Sequence, residues 1–571
     1  MARKACNPRR GRLKRQKACN CLQAFVVTGS PTWARTRDLR INSPALYRLS
    51  YRGISYKYSM REIETHVSRV LLDGDWAYKL KKPLKLPFLD FSTVARRRFF
   101  CEEELRINAR TAPALYVDVR PLSVPWAEWV HDPVAALARS DAATAQDWVV
   151  RMRRFDADAL LATRCQTGQL TLADMDRLAA YLASFHQSLP PVPTDWQPRQ
   201  PLADWVAAAW KVVRYHPDRL DTVSEAEVEA LQDRMTDRLV ALGPWMHARR
   251  QAGWVRECHG DLHLGNLIDW RGEMMAFDAI EFDEDLRCID AMNDVAFTFM
   301  DLLAHDQPGL AWRLIDGWVA HTGDTDGLRG LTLFAAYRAL VRAQVALLGS
   351  GGRQSFERYW RCLRGLLAAP RQPCRPCLWL MMGLSGSGKS TAAGLLRDAL
   401  GARGVGVVRI RSDVERKRWL GVPLQARPGP EEAAHWYSAE TTRHTYERLH
   451  QMARDALEAG LDVVVDAATL RRDERQRMSA LAAHAGASDR LVCVTASDAL
   501  LRQRLQVRQQ QGRDPSDADE AVMERQQAYL EPLTDAERSR AWMLSNELDE
   551  AALRGQIEGR LTAQMAAQTA A

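Results

Sequence analysis

Hydrophobic positions change their period several times along the chain, and each change marks an element. From Met60 onward, THVSRVLLDGDWAYKLKK alternates apolar and polar residues and is broken at Asp73-Gly74, which predicts a β-hairpin turning there. STVARRRFFCEEELRINART has helical spacing, whereas LYVDVRPL and DWVVRMRRF return to strand. Beyond residue 155 the pattern is mainly helical to about 369, interrupted by a loop-and-strand block, HGDLHLGNLIDW and MMAFDAIEF. RQPCRPC, 371–377, has two prolines and no periodicity and reads as a linker. After it, short apolar strands (CLWLMMG, GVGVVRI, LDVVVDA, RLVCVTA) alternate with helical segments such as STAAGLLRDAL, the pattern of a parallel sheet covered by helices.

Two stretches carry chemistry. Phosphoryl transfer needs a group to orient the acceptor hydroxyl, cations for the phosphates, and carboxylate or amide ligands for magnesium. In HGDLHLGN, 259–266, Asp261 suits the base role, and Asn266, at D-x-x-x-x-N spacing, supplies a neutral oxygen to the metal. Asp278 in AFDAIEF ends a strand where a second carboxylate reaches the same ion. Lys79 in AYK lies on a strand, placed to grip nucleotide phosphates, and Glu103 or a neighbour in CEEEL is its expected ion-pair partner. His259 reads as a brace of the loop, and Asp290 and Asp294, four apart in a helical stretch, as structural anchors. A G-x-G-x-x-G loop is missing before Lys79.

The second stretch, LWLMMGLSGSGKST, is a strand, a G-x-x-x-x-G-K-S loop and a helix start. Gly383, Gly386 and Gly388, with Ser385 and Ser387 between them, let backbone N–H groups wrap phosphates; Lys389 reaches the β- and γ-oxygens, Ser390 ligates magnesium, and Thr391 follows in the first helical turn. The helix N-terminus adds its positive dipole end. Asp466 ends the strand DVVVDAAT, where a carboxylate supports hydrated magnesium or the acceptor. In RQRLQVRQQQGRDPSDA, Arg504 and Arg508 share a helix face, suited with Arg513 to a lid over transferring phosphate.

The first set of residues resembles the aminoglycoside phosphotransferase family, whose loop reads H-G-D-x-x-x-x-N. ETHVSRVLL, YKLKKP, FLDFST, RRRFFCEEEL and HGDLHLGN are similar to a bacterial family that fuses a phosphotransferase-like domain to a P-loop kinase, and the likeness runs over 60–545. It implies Asp261 as base, Asn266 and Asp278 on magnesium, and Lys79 with a glutamate near 103 on the nucleotide. The later half resembles small-molecule kinases of the nucleoside and gluconate kinase type. In such P-loop kinases an Asp placed as Asp413 activates the acceptor hydroxyl, and an Arg placed as Arg416 steadies it. The expected fold class is two catalytic domains: an α+β protein-kinase-like (aminoglycoside phosphotransferase) fold over 60–369, then an α/β P-loop kinase with a parallel sheet over 378–545. A linker at 370–377 joins them, and a helical or frayed tail follows at 546–571. The expected function is a bifunctional ATP-dependent phosphotransferase, using ATP and Mg2+ on small-molecule hydroxyl acceptors. Two alternatives stand beside it: an active P-loop kinase with a substrate-binding or regulatory pseudokinase, or an ATP-gated binding module.

Composition narrows the partners. Hydrophobic residues make up 46% and charged residues 26% of the 571, values of soluble globular protein. No apolar run reads as a membrane span, and eleven Cys without a paired framework fit a reducing cytoplasm. Cys374 and Cys377 form one isolated C-x-x-C, too few ligands to close a zinc site. The formal charge is +8, but residues 1–59 hold 14 Lys or Arg against one acid, Asp38, so the remainder is net −5. The body therefore lacks the global basic footprint of a nucleic-acid binder. The abrupt change of style at YSMREIETHVSRVLL leads to the expectation that translation begins at Met60.

Overall fold

The computed structural model describes residues 60–65, 67–86, 89–216, 223–348, 352–368, 375–511 and 518–570. The basic head, most of the linker and Arg513 lie outside the described residues.

The alternating N-terminal pattern forms an antiparallel sheet in the order β1-β2-β3-β5-β4, from β1 (Arg61–Glu64), β2 (Ser68–Asp73), β3 (Trp76–Lys81), β4 (Tyr116–Leu122) and β5 (Asp147–Arg153). β3 lies centrally, with Lys79 opposite Val70 and Val150. Residues two apart on a strand share a face, so Lys79 and Lys81 both look onto α1 (Val94–Asn108), which is capped by Thr93 accepting from the Arg96 N–H. The inner stripe of α1 is Arg97, Cys101, Glu104 and Asn108, which is helical spacing.

A helical lobe follows: α2 (Leu172–Ser188), α3 (Leu202–Tyr215), α4 (Glu225–Gln251), α5 (Ala291–Ala304), α6 (Pro308–Thr322), α7 (Leu328–Leu348) and α8 (Gly352–Leu367). Between α4 and α5 run two antiparallel pairs, β7 (Leu267–Trp270) with β8 (Glu273–Ala276), and β6 (Val255–Glu257) with β9 (Cys288–Asp290). By length and composition α7 passes as a membrane span, with mean hydropathy 1.4, which corrects the expectation that no such run exists. Two thirds of that window is buried inside the protein, with Leu331, Phe334, Ala335 and Leu340 in the core, so its apolarity is that of a central core helix.

The C-terminal unit has a parallel sheet in the order β11-β12-β10-β13-β14, from β10 (Cys377–Met382), β11 (Val407–Arg411), β12 (Asp462–Asp466), β13 (Ser488–Thr495) and β14 (Trp542–Ser545). Its longer helices are α9 (Lys389–Ala402), α10 (Ser412–Leu420), α11 (Ala439–Glu458), α12 (Arg472–His484), α13 (Asp498–Gln511), α14 (Glu520–Ala528) and α15 (Glu550–Ala570). Cys377, expected in the linker, is the first residue of the central strand and lies opposite Ser488. α15 buries Leu553, Ile557 and Leu561 in one cluster with Trp379 and Trp542, so this part of the tail completes the P-loop core.

The two units meet along α6. Leu310 and Leu314 share an apolar cluster with Val408 and Ile410 of β11 and Leu449 of α11. Arg313 bridges Asp176 and Asp398, the Arg397 guanidinium pairs with Asp316, and Thr325 donates to Asp455 at 2.7 Å. Arg418 and Arg448 donate to the carbonyls of Ala320 and Gly323. Paired charges and donated carbonyls are what let so polar a seam lie beside a shared core.

Candidate active sites

In the first unit the HGD turn is fixed from behind. Asp294, fully buried on α5, accepts from the N–H of His259 (3.1 Å) and of Gly260 (2.9 Å), and His186 Nε2 lies 3.1 Å from the same carboxylate. Trp318 Nε1 donates to His186 Nδ1 at 3.0 Å, so both ring nitrogens are engaged. These contacts make His186 and Asp294 a brace for the turn, with Cys258, whose Sγ donates to the Ile289 carbonyl, buried beside them. Gly260 has φ +84°, and a Cβ there would lie 2.7 Å from the Leu286 carbonyl oxygen; only glycine fits so tight a turn. The Asp261 N–H donates to His259 Nδ1 (3.3 Å), which leaves Nε2, 3.0 Å from the Phe277 carbonyl, to carry the proton. Burial lowers the His259 pKa, so the imidazole is a neutral brace, as its sequence position suggested. Asp290 caps α5 and pairs with Arg249.

The turn brings Asp261 and Asn266 together. Asn266 Nδ2 donates to the Asp261 carboxylate and to its carbonyl, each at 3.0 Å. The Asp261 side chain is 36% exposed. Burial works against its ionisation, but His263 and Arg342 outweigh that and hold the carboxyl well below the usual carboxylate range. The β7–β8 hairpin then returns Asp278 to the same place, with the Phe277 N–H donating to the Asn266 carbonyl at 2.9 Å. Asp278 has φ +62°, and its turn is held by Tyr116 Oη and Asn108 Oδ1, which accept from the N–H groups of Asp278 and Ala279. Lys79 pairs with the Asp278 carboxylate and, at 2.8 Å, with Glu104.

The expected partner of Lys79 therefore needs correcting from Glu103 to Glu104. Helical spacing puts Glu104 on the inner stripe of α1, one turn past Cys101. Glu103 points to the rim and accepts from Arg106 (2.7 Å) and Arg287 (2.9 Å). Glu104 also receives Lys81 at 2.7 Å, and Lys81 pairs in turn with Glu281. Burial would raise the Glu104 pKa, yet the two lysines bring it down to about 2, whereas burial wins at Glu281 and raises its pKa.

In the second unit the P-loop turns between β10 and α9. Gly388 has φ +83°, and a Cβ there would meet Asn546 Nδ2 at 2.0 Å. That amide donates to the Ser387 carbonyl (2.8 Å), and Gln526 Oε1 accepts from the Ser385 N–H (2.8 Å). Ser385 and Ser387 are buried, Gly383 and Gly386 pack against Val494 and Leu501, and Thr391 is exposed on the first turn of α9. Ser390 Oγ donates to Asp466 at 3.1 Å. Burial raises the Asp466 pKa, but Arg409, Arg411 and Lys389 outweigh it and the net shift is down. The Arg409 guanidinium holds Asp466 while its N–H donates to Asp316 of α6 at 2.6 Å, so the first unit helps to place this strand.

Asp413 and Arg416 lie together at the start of α10, 3.3 Å apart, with the guanidinium over the Tyr437 ring at 4.7 Å. Of the two lid arginines among the described residues, Arg504 sits at the loop: its Nη2 donates to the Asn546 carbonyl (2.9 Å), and its Nη1 lies 3.7 Å from where a Gly388 Cβ would be. Arg508 does not follow it, because its guanidinium is taken by the Ala518 carbonyl. Glu281, Tyr116, Asn108, Gln526, Asn546 and Arg409 were missed from sequence; each lies in an unremarkable local pattern, and only contacts across the fold single them out.

Fold and site together define a phosphotransferase of the kinase type, with a P-loop nucleotide-binding domain at its C-terminal end. An AAA domain family model matches residues 378–533. Uncharacterized proteins of Mycobacterium tuberculosis and Mycobacterium bovis are each 30% identical over 414 residues, 71% of this chain and 77% of theirs. The chain belongs to the family of these mycobacterial proteins, and it joins an aminoglycoside phosphotransferase-like domain to a P-loop kinase domain. Among solved structures, a choline/ethanolamine kinase family protein from Mesorhizobium loti is 14% identical, covering 57% of this chain and 94% of its own, at a TM-score of 0.35. A gluconokinase from Sinorhizobium meliloti 1021 is 19% identical, covering 34% and 98%, at a TM-score of 0.23. The fold assignment itself rests on the strand order and connectivity given above.

Proposed function

We propose that the protein is a bifunctional phosphotransferase, each domain moving the γ-phosphoryl group of ATP to a hydroxyl of a small molecule. The observation that carries this reading is duplication: Asp261 with Asn266 stands beside the Lys79–Asp278 pair, and Ser390 with Asp466 stands beside Lys389 and the Asp413–Arg416 pair.

In the first domain the acceptor hydroxyl donates to Asp261. A carboxyl held so far below the usual range is ionised but a weak base, so its main work is to aim the oxygen at phosphorus, and the proton transfers late. Lys79, kept cationic by Asp278 and Glu104, holds phosphate oxygens. In the second domain the P-loop N–H groups and Lys389 hold the phosphates, Asp413 orients the acceptor, and Arg416 and Arg504 stand ready for the charge that develops on the transferring group. The donor sets suit a hard cation, being oxygens in both domains: Asn266 and Asp278 in the first, Ser390 and Asp466 in the second. Asn266 spends its Nδ2 on Asp261, and its Oδ1 takes no hydrogen bond among the described residues. Magnesium there would neutralise phosphate charge.

The test is transfer from γ-labelled ATP into a metabolite extract, read by mass spectrometry, for the full chain, Asp261→Asn and Lys389→Ala. Two phosphorylated products, each lost in a different variant, are expected. Loss of every product in Lys389→Ala alone would reduce the first domain to a binding or regulatory unit. Nucleotide binding with no product in any arm would leave an ATP-gated module.

A further inference from the structure

α6 of the first domain packs against α9 and the edge of the P-loop sheet. Gly309 and Trp312 make that approach close: a Cβ on Gly309 would lie 3.4 Å from Ala402 Cα, and one on Gly406 would lie 2.9 Å from Trp312 Cζ2. Asp316, one turn beyond Trp312 and 4% exposed, stands at the join. Its carboxylate pairs with the Arg397 guanidinium of α9 and accepts from the Arg409 N–H of β11 at 2.6 Å. β11 is the outermost strand of the parallel sheet, with β12 as its strand partner. An edge strand has N–H groups with no strand to bond, and a buried one needs another acceptor. For Arg409 that acceptor comes from the other domain.

The Arg409 side chain carries this hold into the P-loop site. Its guanidinium pairs with one oxygen of Asp466, Arg411 Nε lies 3.6 Å from the same oxygen, and Ser390 Oγ donates to the other at 3.1 Å. Asp316, Arg409, Asp466 and Ser390 thus form one chain of contacts from α6 to the first turn of α9. The far end of α6 is tied as well. The Ala320 and Gly323 carbonyls, which the ending helix leaves without partners of its own, accept from Arg418 and Arg448. Arg418 lies on α10, the helix of Asp413 and Arg416.

We propose that Asp316 is a positioning residue of the P-loop site: by fixing the Arg409 backbone it keeps the Asp466 carboxylate beside Ser390, ready for magnesium. The site is then complete only with α6 of the first domain in place. This inference rests on the reading of Ser390 and Asp466 as magnesium ligands.

Hydrogen exchange of the full chain, read at 383–391 with saturating ADP and rising Mg2+, reports this site apart from the first domain and apart from turnover. The buffer is held at pH 8, above the value of about 7 to which burial raises the Asp316 carboxyl. Asp316→Asn should raise the Mg2+ midpoint of protection about tenfold, as loss of an outer partner does at a metal site, with protection by ADP alone unchanged. In an Arg409→Met background the same substitution should move the midpoint less than about twofold, because the relay is already cut. Arg313→Met breaks the neighbouring bridge between Asp176 and Asp398, leaves Asp316 intact, and should keep the wild-type midpoint. A wild-type midpoint in Asp316→Asn, an equal shift in both backgrounds, or a matching shift in Arg313→Met overturns the positioning role. Asp316→Ala decides in the same way should the amide variant not fold. No protection of 383–391 by ADP and Mg2+ in the wild type would overturn the nucleotide reading of this site, and the role of Asp316 with it.

Discussion

In the first domain the groups proposed to handle phosphate are side chains delivered by separate elements: Lys79 from β3, Glu104 from α1, Asp261 and Asn266 from the HGD turn, and Asp278 from beyond β8. In the P-loop domain most of the site lies inside 383–391, and the chemistry is that of backbone N–H groups arranged by glycine. The first arrangement needs a folded sheet, a helix and a hairpin in register before it exists. The second needs one strand, one turn and one helix start. A buried carboxylate is pushed down or up according to whether a cation stands beside it. Glu104 sits between two lysines and is pushed down to about 2, whereas Asp462, accepting from Trp379 Nε1 and the Cys377 N–H with no ion-pair partner among the described residues, is pushed up to about 6 by burial. Both sites bury a carboxylate beside cations, Glu104 between two lysines and Asp466 beside Arg409, Arg411 and Lys389; they differ in that one gathers side chains from separate elements and the other shapes one stretch of backbone.

The comparison can be broken most forcefully at Lys389. Lys389→Ala should lower transfer by the P-loop domain about 10³-fold while leaving the first domain's product unchanged; a parallel fall in both products would show one machine. Asp261→Asn should lower the first domain's transfer by about 10²- to 10³-fold with the P-loop product intact, measured in the same assay. Glu104→Gln strips the shared partner from two lysines, one of them fully buried, and should cost about 3 kcal/mol in a denaturant titration, whereas Glu103→Gln at the rim should cost about 1 kcal/mol or less. Equal costs would return the ion-pair role to Glu103.

The pH dependence of stability has two halves of opposite sign. Glu104 has a folded pKa below its unfolded value of 4.5, so its contribution is present above pH 4.5 and is lost as pH falls toward 2. Asp462 has a folded pKa above its unfolded value of 3.8, so its contribution is present below that value and is lost as pH rises through about 6. Thermal melts across this range should show Asp462→Asn flattening the slope between pH 4 and 6, and Glu104→Gln flattening it below pH 4.5. Matching slopes in both variants would remove the contrast between paired and unpaired burial.

Much of the fold was legible because its signals are local. The break at Asp73-Gly74, the period of α1 and the strand–loop–helix around Gly383–Lys389 each lie within a window that pattern alone can read. The Glu103 misassignment shows where such reading stops. Three consecutive glutamates, Glu102 to Glu104, look alike in composition, and a rotation of 100° per residue decides which one faces Lys79. Arg504 and Arg508 share a face as their spacing foretold, yet Asn546 draws one to the P-loop and Ala518 holds the other.

By itself, then, the sequence determined the HGD and P-loop turns, their order, and the alternating or helical character of the elements around them, because glycine conformation and hydrophobic period act over a few residues. The tertiary structure decided the partners: Glu104 for Lys79, Asp294 and His186 behind the HGD turn, and Asp316 of the first unit holding Arg409, which holds Asp466 of the second. Asp316 and Asp466 stand 150 residues apart in the chain. Contacts of that kind depend on how finished elements pack, and no local period encodes them.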